Sequence, residues 1–148
     1  MNITIVSMNA SHTAALAELE TLCFAEPWSE AALKEELNNP CSRFLTALID
    51  SRVVGYLGCH HIADEGFITN VAVFPSERRH GAARALLLHA IEQGVGLSRL
   101  TLEVRQSNIA AKTLYESLGF TNDGVRPRFY AHPTEDACIY SYYYPKSE

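Results

Sequence analysis

Apolar residues recur along the chain with two different spacings, and the spacing separates strands from helices. Runs of β-branched and other apolar residues with alternating polarity are typical of strands. Apolar residues three and four positions apart are typical of amphipathic helices. On this basis we expect strands near residues 2–6, 43–49, 52–61, 66–74, 100–104, 120–125 and 137–144. We expect helices near residues 16–23, 30–37, 85–93 and 108–118.

The start of the second helix is marked by its capping residues. Ser29 is a favourable N-cap, and Trp28 just before it can pack on Leu33 one turn later. Residues 38–40, Asn-Asn-Pro, would end the same helix because proline cannot continue it. The sequence therefore predicts a short helix, and the contact of Trp28 with Leu33 would fix the angle at which the chain enters it.

The order of the elements indicates a mixed α/β fold. One strand and two helices are followed by three strands, a helix, a strand, a helix and two last strands. Turn residues at 50–51 and 64–66 separate the three middle strands, which favours a meander. Since no repeat, linker or low-complexity segment interrupts the pattern, we expect a single domain over residues 1–148.

The overall composition narrows the classes of partner. A net charge of −5 over 148 residues argues against a general nucleic-acid binder and suits a basic peptide or amine better. No apolar run reaches the length of a membrane span, and residues 1–5 lack the features of a secretory signal. We therefore expect a cytoplasmic protein that does not bind a membrane.

Neither the cysteines nor the histidines have the spacing of a metal site. No Cys-x-x-Cys motif occurs, and the only adjacent histidines, His60 and His61, would point to opposite faces of a strand. The cysteines are widely scattered: Cys23, Cys41, Cys59 and Cys138. We expect buried, reduced thiols and no bound metal.

Residues 71–84 are suited to binding a phosphate. An apolar strand there ends in a proline and an arginine-rich turn, which leads into the third helix. A helix N-terminus presents unpaired N–H groups and the positive end of the helix dipole. Gly81 allows a close approach of the backbone, and Ala82 and Ala83 add little bulk. Arg78, Arg79 and Arg84 supply cationic donors.

The turn lacks the signature of the two commonest phosphate loops. It has no Gly-Lys-Ser/Thr ending and only one of the three glycines of a dinucleotide fingerprint. Its sequence Arg78-Arg79-His80-Gly81-Ala82-Ala83 resembles the acyl-CoA loop of the Gcn5-related N-acetyltransferases (GNAT), Gln/Arg-x-x-Gly-x-Gly/Ala, with alanine at the last position. The residues of this loop alone are also compatible with an ordinary helix start that carries solvated arginines.

Glu103 is the candidate general base. It lies in the strand before the last helix, where a carboxylate could take a proton from an amine directly or through water. The alternative is a solvated glutamate paired with Arg105 two residues later.

Tyr115 is the candidate general acid. Ser107 or Asn108 would cap the last helix, and Asn108 lies two turns before Tyr115, on the same face. The Tyr115 hydroxyl could protonate a thiolate while Asn108 contacts the cofactor. A half-buried tyrosine that packs beside Phe120 is an equally simple interpretation.

The backbone of the strand before the loop is the candidate site for the acyl group. Val71 and Val73 could offer N–H and C=O groups to a pantetheine arm and an acetyl oxygen, if the strand separates from its neighbour. The same residues could equally form a plain core strand, and a backbone role leaves their side chains free to pack.

The longer motif over residues 102–120 resembles the peptide N-terminal acetyltransferases, and most closely the bacterial ribosomal-protein-alanine N-acetyltransferase (RimI) family. Residues 27–30, Pro-Trp-Ser-Glu, and residues 126–137, which include Phe129-Tyr130, point the same way. The resemblance covers nearly the whole chain. It implies the GNAT fold, a central and mostly antiparallel sheet with helices on both faces.

The resemblance also implies roles for individual residues. Glu103 would be the general base and Tyr115 the general acid, without a metal, and Tyr130 would contact the substrate. The implied substrate is the N-terminal alanine of a small-subunit ribosomal protein, acetylated by direct transfer in a ternary complex. The oligomeric state stays open, with a monomer favoured. Acetyl-CoA, the implied co-substrate, would be held by residues of the strand, the loop and the last helix, namely Val71, Ala72, Val73, Arg79, His80, Gly81, Ala82, Ala83, Arg84 and Asn108.

Three departures from the family pattern concern the loop and the peptide groove. Ala83 replaces the commoner glycine at the end of the loop, and Phe74 and Pro127-Arg128 replace polar or basic residues near the groove. The change at Ala83 leaves the cofactor loop intact, whereas Phe74 and Pro127-Arg128 leave the identity of the peptide open. Two other functions also stay open. One is the acetylation of lysines, polyamines or other small amines. The other is a CoA-binding regulatory module without catalysis.

Overall fold

A computed structural model describes residues 2–145. These residues form seven strands and four α-helices around one sheet of strand order β1-β2-β3-β4-β5-β7-β6. The strands are β1 Ile3–Ser7, β2 Leu45–Ile49, β3 Arg52–Ile62, β4 Glu65–Val73, β5 Arg99–Arg105, β6 Thr121–Tyr130 and β7 Glu135–Tyr143. The helices are α1 Thr13–Cys23, α2 Glu30–Glu36, α3 Ala82–Gln93 and α4 Ile109–Ser117.

Neighbouring strands of this sheet run antiparallel, apart from β4 and β5, which are parallel. The meander predicted for the three middle strands is confirmed as β2-β3-β4. The mixed α/β fold class and the mostly antiparallel sheet are confirmed as well. Among residues 2–145, no helix is both long enough and apolar enough to cross a membrane.

Two residues predicted as helix caps form the expected side-chain hydrogen bonds at the starts of α2 and α4. The Ser29 hydroxyl accepts a hydrogen bond from the N–H of Ala32 (3.1 Å), which satisfies one unpaired donor at the start of α2. Trp28 packs against the hydrophobic cluster that contains Leu33. Of the two candidates for the cap of α4, Asn108 fills the position, and its side-chain oxygen accepts from Ala111 N–H (3.1 Å).

The helices cover the two faces of the sheet with two separate hydrophobic clusters. On one face, α3 and α4 pack on a cluster that includes Leu86, Leu102 and Tyr140. On the opposite face, α1 and α2 pack on a smaller cluster that includes Leu16, Leu33, Phe44, Tyr56 and Ala72. Since successive strand residues alternate between faces, these clusters assign each strand residue to the α1/α2 face or to the α3/α4 face.

Strands β4 and β5 separate after a short paired segment. Only residues 65–67 of β4 pair with residues 99–101 of β5, although β4 continues to Val73 and β5 to Arg105. Their carboxyl-terminal halves therefore border a gap in the middle of the sheet. Because of this separation, the backbone groups of Val71 and Val73 can be reached by a ligand, as predicted for a strand that parts from its neighbour.

A β-bulge at Thr69 sets the orientation of the residues along the gap. Gly58 pairs with Asn70 and Cys59 with Ile68, which leaves Thr69 without a partner on β3. A Cβ atom at Gly58 would lie 2.5 Å from the Thr69 hydroxyl oxygen and 3.0 Å from the Phe44 ring. The bulge thus requires a glycine opposite it.

The end of β6 differs from the prediction. We expected this strand to stop near Val125 and a loop to contain Pro127 and Pro133, but β6 continues to Tyr130, which pairs with Glu135. The register shifts between Arg126 and Tyr130, around Pro127. Proline is tolerated in this position because β6 is an edge strand and the irregular segment needs no donor from residue 127.

Candidate active site

The backbone of β4 directs polar groups toward the gap at alternate residues. The Phe74 N–H donates to the Val54 carbonyl (2.9 Å), so hydrogen-bonded pairs between β3 and β4 recur at Ala72 and Asn70. The N–H and C=O groups of Val71 and Val73 consequently point away from β3, toward the gap. Ala72 was expected to contribute with them, but its backbone groups face β3 and its side chain is buried on the α1/α2 face.

The loop before α3 leaves several amides unpaired at the helix start. Gly81 is the N-cap residue, has no capping side chain, and adopts a left-handed conformation with φ of 84°. Arg79 also has a positive φ of 69°. Ala82 and Ala83 direct their methyl groups toward the core below the helix. The first amides of α3 therefore remain available to a phosphate group.

A side chain at Gly81 would meet no steric obstacle. An added Cβ atom would have no neighbour within 4 Å, so the requirement for glycine here is conformational. The surrounding space is open, which is what a loop that receives a large ligand needs. His80, adjacent to it, is exposed.

The arginines around the loop have different roles. Arg78 was expected to surround the phosphate site, but its Nε donates to the Val73 carbonyl (3.2 Å), which ties the loop to the end of β4. The Arg84 guanidinium lies 3.4 Å from the Ser117 hydroxyl on α4. Arg79 is exposed on the loop. Within residues 2–145, Arg79 is the one of the three arginines whose side chain makes no such hydrogen bond.

Glu103 lies on the α1/α2 face of β5. Its neighbours Leu102 and Val104 are buried in the cluster on the opposite face, so the Glu103 side chain projects on the α1/α2 side. A pairing with Arg105 was considered from sequence, but Glu103 contacts Arg126 of β6 instead (Oε1 to Nε, 3.3 Å). The glutamate side chain is 29% exposed and the arginine side chain 55%, so this ion pair is weak and open to exchange.

Tyr115 lies on the other face, within the cluster that α3 and α4 cover. Its ring packs between Phe120 (5.9 Å between ring centroids) and Tyr140 (6.0 Å), and the residue is 8% exposed. Burial, with a smaller contribution from Tyr130, raises the pKa of Tyr115 to about 12. The hydroxyl thus stays protonated at neutral pH, which a donor of a proton or hydrogen bond requires.

Asn108 has a structural role that leaves part of its side chain free. The amide oxygen caps α4, so only the NH₂ group is available to a ligand. The same turn is fixed from β7, where Glu135 accepts from the N–H of Ser107 (2.6 Å). This arrangement holds the start of α4 at the end of β5.

Tyr130 lies near Glu103 on the α1/α2 face of the sheet. The Arg105 guanidinium stacks over the Tyr130 ring at 4.5 Å, and Arg105 also pairs with Glu135 (3.3 Å). Burial and the negative charge of Glu103 raise the pKa of Tyr130 to about 12. The ring is therefore held in one orientation beside the candidate base.

Sequence reasoning missed three residues around the gap. Arg126 could not be matched to Glu103 because the two meet only through the strand order β5-β7-β6. Glu20 and Asn70 are joined by a hydrogen bond across 50 residues of sequence. The alternation of polarity in α1 gives no signal for Glu20, since a glutamate on a helix is normally solvated.

The arrangement suits the transfer of an acyl group across the sheet. Candidate base and candidate acid lie on opposite faces, and the gap between β4 and β5 connects the two sides. Free backbone amides of Val71 and Val73 border the gap, and the uncapped start of α3 lies beyond the end of β4. Within residues 2–145, no group of three or more His, Cys, Asp and Glu side chains is placed to hold a metal ion.

Comparison with known proteins identifies the family to which the chain belongs. The sequence profile of the acetyltransferase (GNAT) family matches residues 13–120. The [ribosomal protein bS18]-alanine N-acetyltransferase of Escherichia coli K12 is 36% identical over 137 residues, 90% of this chain and 89% of the relative. That of Salmonella typhimurium is 37% identical over 142 residues, 92% of this chain and 94% of the relative.

A solved structure supports the same relationship. The crystal structure of the ribosomal-protein-S18-alanine N-acetyltransferase from Escherichia coli has a TM-score of 0.90 and 31% identity to this chain, and the match covers 99% of this chain and 97% of that structure. The chain therefore belongs to the GNAT acetyltransferase family and, within it, to the family of ribosomal-protein-alanine N-acetyltransferases.

Proposed function

We propose that this enzyme transfers the acetyl group of acetyl-CoA to the N-terminal α-amine of a small-subunit ribosomal protein that begins with alanine, the counterpart of bS18. The names of its relatives supply the substrate. The observation that carries the proposal is the gap between β4 and β5, with Glu103 on one face and Tyr115 on the other. A cytoplasmic location and action as a monomer are parts of the same proposal.

The residues present fit acetyl-CoA as co-substrate. The unpaired amides at the start of α3 suit the pyrophosphate, and the open space above Gly81 admits it without a clash. The backbone N–H groups of Val71 and Val73 and the Val71 carbonyl suit the pantetheine amides, while the Val73 carbonyl accepts from Arg78. Bound there, acetyl-CoA would supply an activated thioester, so no cysteine of the chain need act as a nucleophile.

Each residue at the gap would have one task in the reaction. Glu103 accepts the proton that the attacking amine loses, directly or through a water molecule. A backbone N–H of Val71 or Val73 donates to the acetyl oxygen as that oxygen gains negative charge. Tyr115 donates from the opposite face to the departing sulfur. The amine and the thioester thus meet from opposite faces, in a direct transfer.

An α-amine is a better match to this site than a lysine. Its pKa is near 8 against about 10.4 for lysine, so at neutral pH the neutral fraction is on the order of 300 times larger. One carboxylate that is partly exposed and already paired with an arginine is then an adequate base. A lysine would need a stronger means of deprotonation than these residues offer.

The position of Glu103 defines the side from which the peptide would arrive. The amine has to reach the α1/α2 face, where the gap is bordered by the segment between α1 and α2 on one side. Tyr130 and Arg105 border it on the other side. We infer that the N-terminal residues of the peptide lie between these two walls.

The test is thiol release from acetyl-CoA with a short peptide that carries the N-terminus of the host's bS18 counterpart. The control peptide has the same sequence with a blocked α-amine and a free lysine. Turnover of the open peptide alone supports N-terminal transfer. Equal turnover of both peptides would contradict it in favour of a lysine or small-amine acetyltransferase, and acetyl-CoA binding without any turnover would favour a non-catalytic module.

A further inference from the structure

Glu20 is a carboxylate buried completely in the structure. It lies on α1, has no exposed surface, and has no salt-bridge partner among residues 2–145. Acidic side chains are almost never fully buried without compensation, because the loss of solvation is costly. Burial accordingly raises the pKa of Glu20, and hydrogen bonds from Trp28, Tyr56 and Asn70 oppose that rise.

The three hydrogen bonds connect Glu20 to three different parts of the chain. One carboxylate oxygen accepts from the backbone N–H of Trp28 (2.9 Å), in the segment between α1 and α2. The other accepts from the Tyr56 hydroxyl on β3 (2.7 Å) and from the Asn70 amide on β4 (3.2 Å). The single side chain thus links the α1–α2 segment to the strand that borders the gap.

The link ends beside the reacting groups. Asn70 follows the bulge residue Thr69 and directly precedes Val71, whose backbone faces the gap. Asn70 also lies on the α1/α2 face, the same side of the sheet as Glu103. A displacement of the Trp28 backbone relative to Asn70 would therefore change the width of the space through which a peptide reaches the base.

Stability alone is a poor reason for a carboxylate at this position. Apolar residues of similar volume commonly stabilise a core as well as, or better than, a buried charge. A carboxylate differs in that two oxygens in fixed geometry hold a backbone group and a side chain at a set separation. Here the two oxygens point to the two elements whose separation matters for the peptide.

We propose that Glu20 is a positioning residue for the peptide site, which fixes the α1–α2 segment at Trp28 against β4 at Asn70. The inference rests on the proposed function, since it concerns how the peptide is admitted. Glu20 does not contact the reacting atoms. Its loss should consequently affect the use of the peptide far more than the use of acetyl-CoA, whose proposed site is the loop before α3 and the opposite face.

The experiment compares steady-state kinetics of wild type, Glu20→Leu and Glu20→Gln, with peptide and acetyl-CoA varied separately. Leucine fills the space without an acceptor, so we expect the peptide KM to rise about tenfold and the acetyl-CoA KM to stay within about twofold. Glutamine keeps one oxygen as an acceptor. Its NH₂ group can donate to the Tyr56 hydroxyl oxygen, or to the amide oxygen of Asn70 once that amide has turned over. We expect the peptide KM of Glu20→Gln to be close to that of wild type.

The matched control is Tyr56→Phe. It removes the hydrogen bond from Tyr56 to Glu20. The hydrogen bonds from Trp28 and from Asn70 to Glu20 stay intact. We expect a loss of thermal stability with an unchanged peptide KM. If Tyr56→Phe and Glu20→Leu raise the peptide KM equally, or if Glu20→Leu changes both KM values alike, Glu20 is a structural residue only and the proposal is wrong.

A second variant covers the case in which Glu20→Leu does not fold. Asn70→Ala removes the β4 end of the link at a partly exposed residue, and a rise of at least about threefold in the peptide KM is expected. An unchanged KM would overturn the proposal. If the wild type itself does not turn over the peptide, the proposed function fails first. Hydrogen exchange at the Trp28 amide, expected to be faster in Asn70→Ala, then tests the link alone.

Discussion

Replacing Tyr115 by phenylalanine removes one oxygen atom and leaves the aromatic ring in place. The ring makes the packing contacts with Phe120 and Tyr140, and no hydrogen-bond partner of the hydroxyl occurs within residues 2–145. The variant should therefore fold with little loss of stability. Any large kinetic effect then reports on the hydroxyl group itself.

The raised pKa of Tyr115 sets the size of the effect. With a pKa of about 12, full proton transfer to a thiolate with a pKa near 8.5 is uphill by about 3.5 pH units, or about 5 kcal/mol. Tyr115 therefore acts mainly as a hydrogen-bond donor to the sulfur while negative charge develops. Such a bond to a charged group contributes about 1.5–3 kcal/mol, so kcat should fall roughly 10- to 100-fold.

Thiol release under saturating peptide and acetyl-CoA measures kcat directly. Tyr140→Phe is the matched control, because that tyrosine lies in the same cluster and its hydroxyl donates to Glu116 (2.7 Å), away from the gap. We expect its kcat to stay within about twofold of wild type at a temperature where it is folded. A kcat of Tyr115→Phe within twofold of wild type would refute the role of the hydroxyl.

Three further variants test other parts of the site. Glu103→Gln removes the base, and kcat/KM for the peptide should fall about 100-fold or more, while acetyl-CoA binding measured by calorimetry is unchanged. Gly81→Ala forces a left-handed alanine at a cost of about 1–2 kcal/mol, and the acetyl-CoA dissociation constant should rise about tenfold while the peptide KM changes little. Glu20 titrates with a raised pKa, so its stabilising contribution is complete below the unfolded value near 4.3 and declines as pH rises through the folded value. In thermal melts, wild type should consequently lose stability relative to Glu20→Gln as the pH rises above the unfolded pKa near 4.3.

A specific result would contradict each of these three predictions. Glu103→Gln with unchanged kcat/KM would remove Glu103 from the chemistry. An unchanged acetyl-CoA affinity in Gly81→Ala would mean that the cofactor does not use the amides at the start of α3. A difference in melting temperature between wild type and Glu20→Gln that is constant with pH would mean that Glu20 does not titrate with a raised pKa.

Local signals were sufficient to predict the elements and the loop. Apolar spacing and capping residues such as Ser29 depend on neighbours within one helical turn, and those neighbours are visible in the sequence. The glycine at position 81 was predicted to allow a close approach of the backbone, and its left-handed φ of 84° is a second reason for glycine there.

Contacts between distant segments could not be predicted in this way. The pairing of Glu103 with Arg126 depends on the insertion of β7 between β5 and β6. The orientation of Val71 and Val73 depends on the bulge at Thr69, which shifts the register by one residue. The burial of Glu20 depends on three donors that come from separate elements. Each of these features is set by the register and order of strands, which local periodicity does not determine.

The most direct measurement is tandem mass spectrometry of a peptide that carries both a free N-terminal alanine and a free lysine, after incubation with the enzyme and acetyl-CoA. The peptide should have the sequence of the host's bS18 N-terminus. We expect one acetyl group on the alanine α-amine, at a rate that falls about 100-fold in Glu103→Gln. Acetylation of the lysine side chain, or an equal mixture of both products, would contradict transfer to the N-terminus.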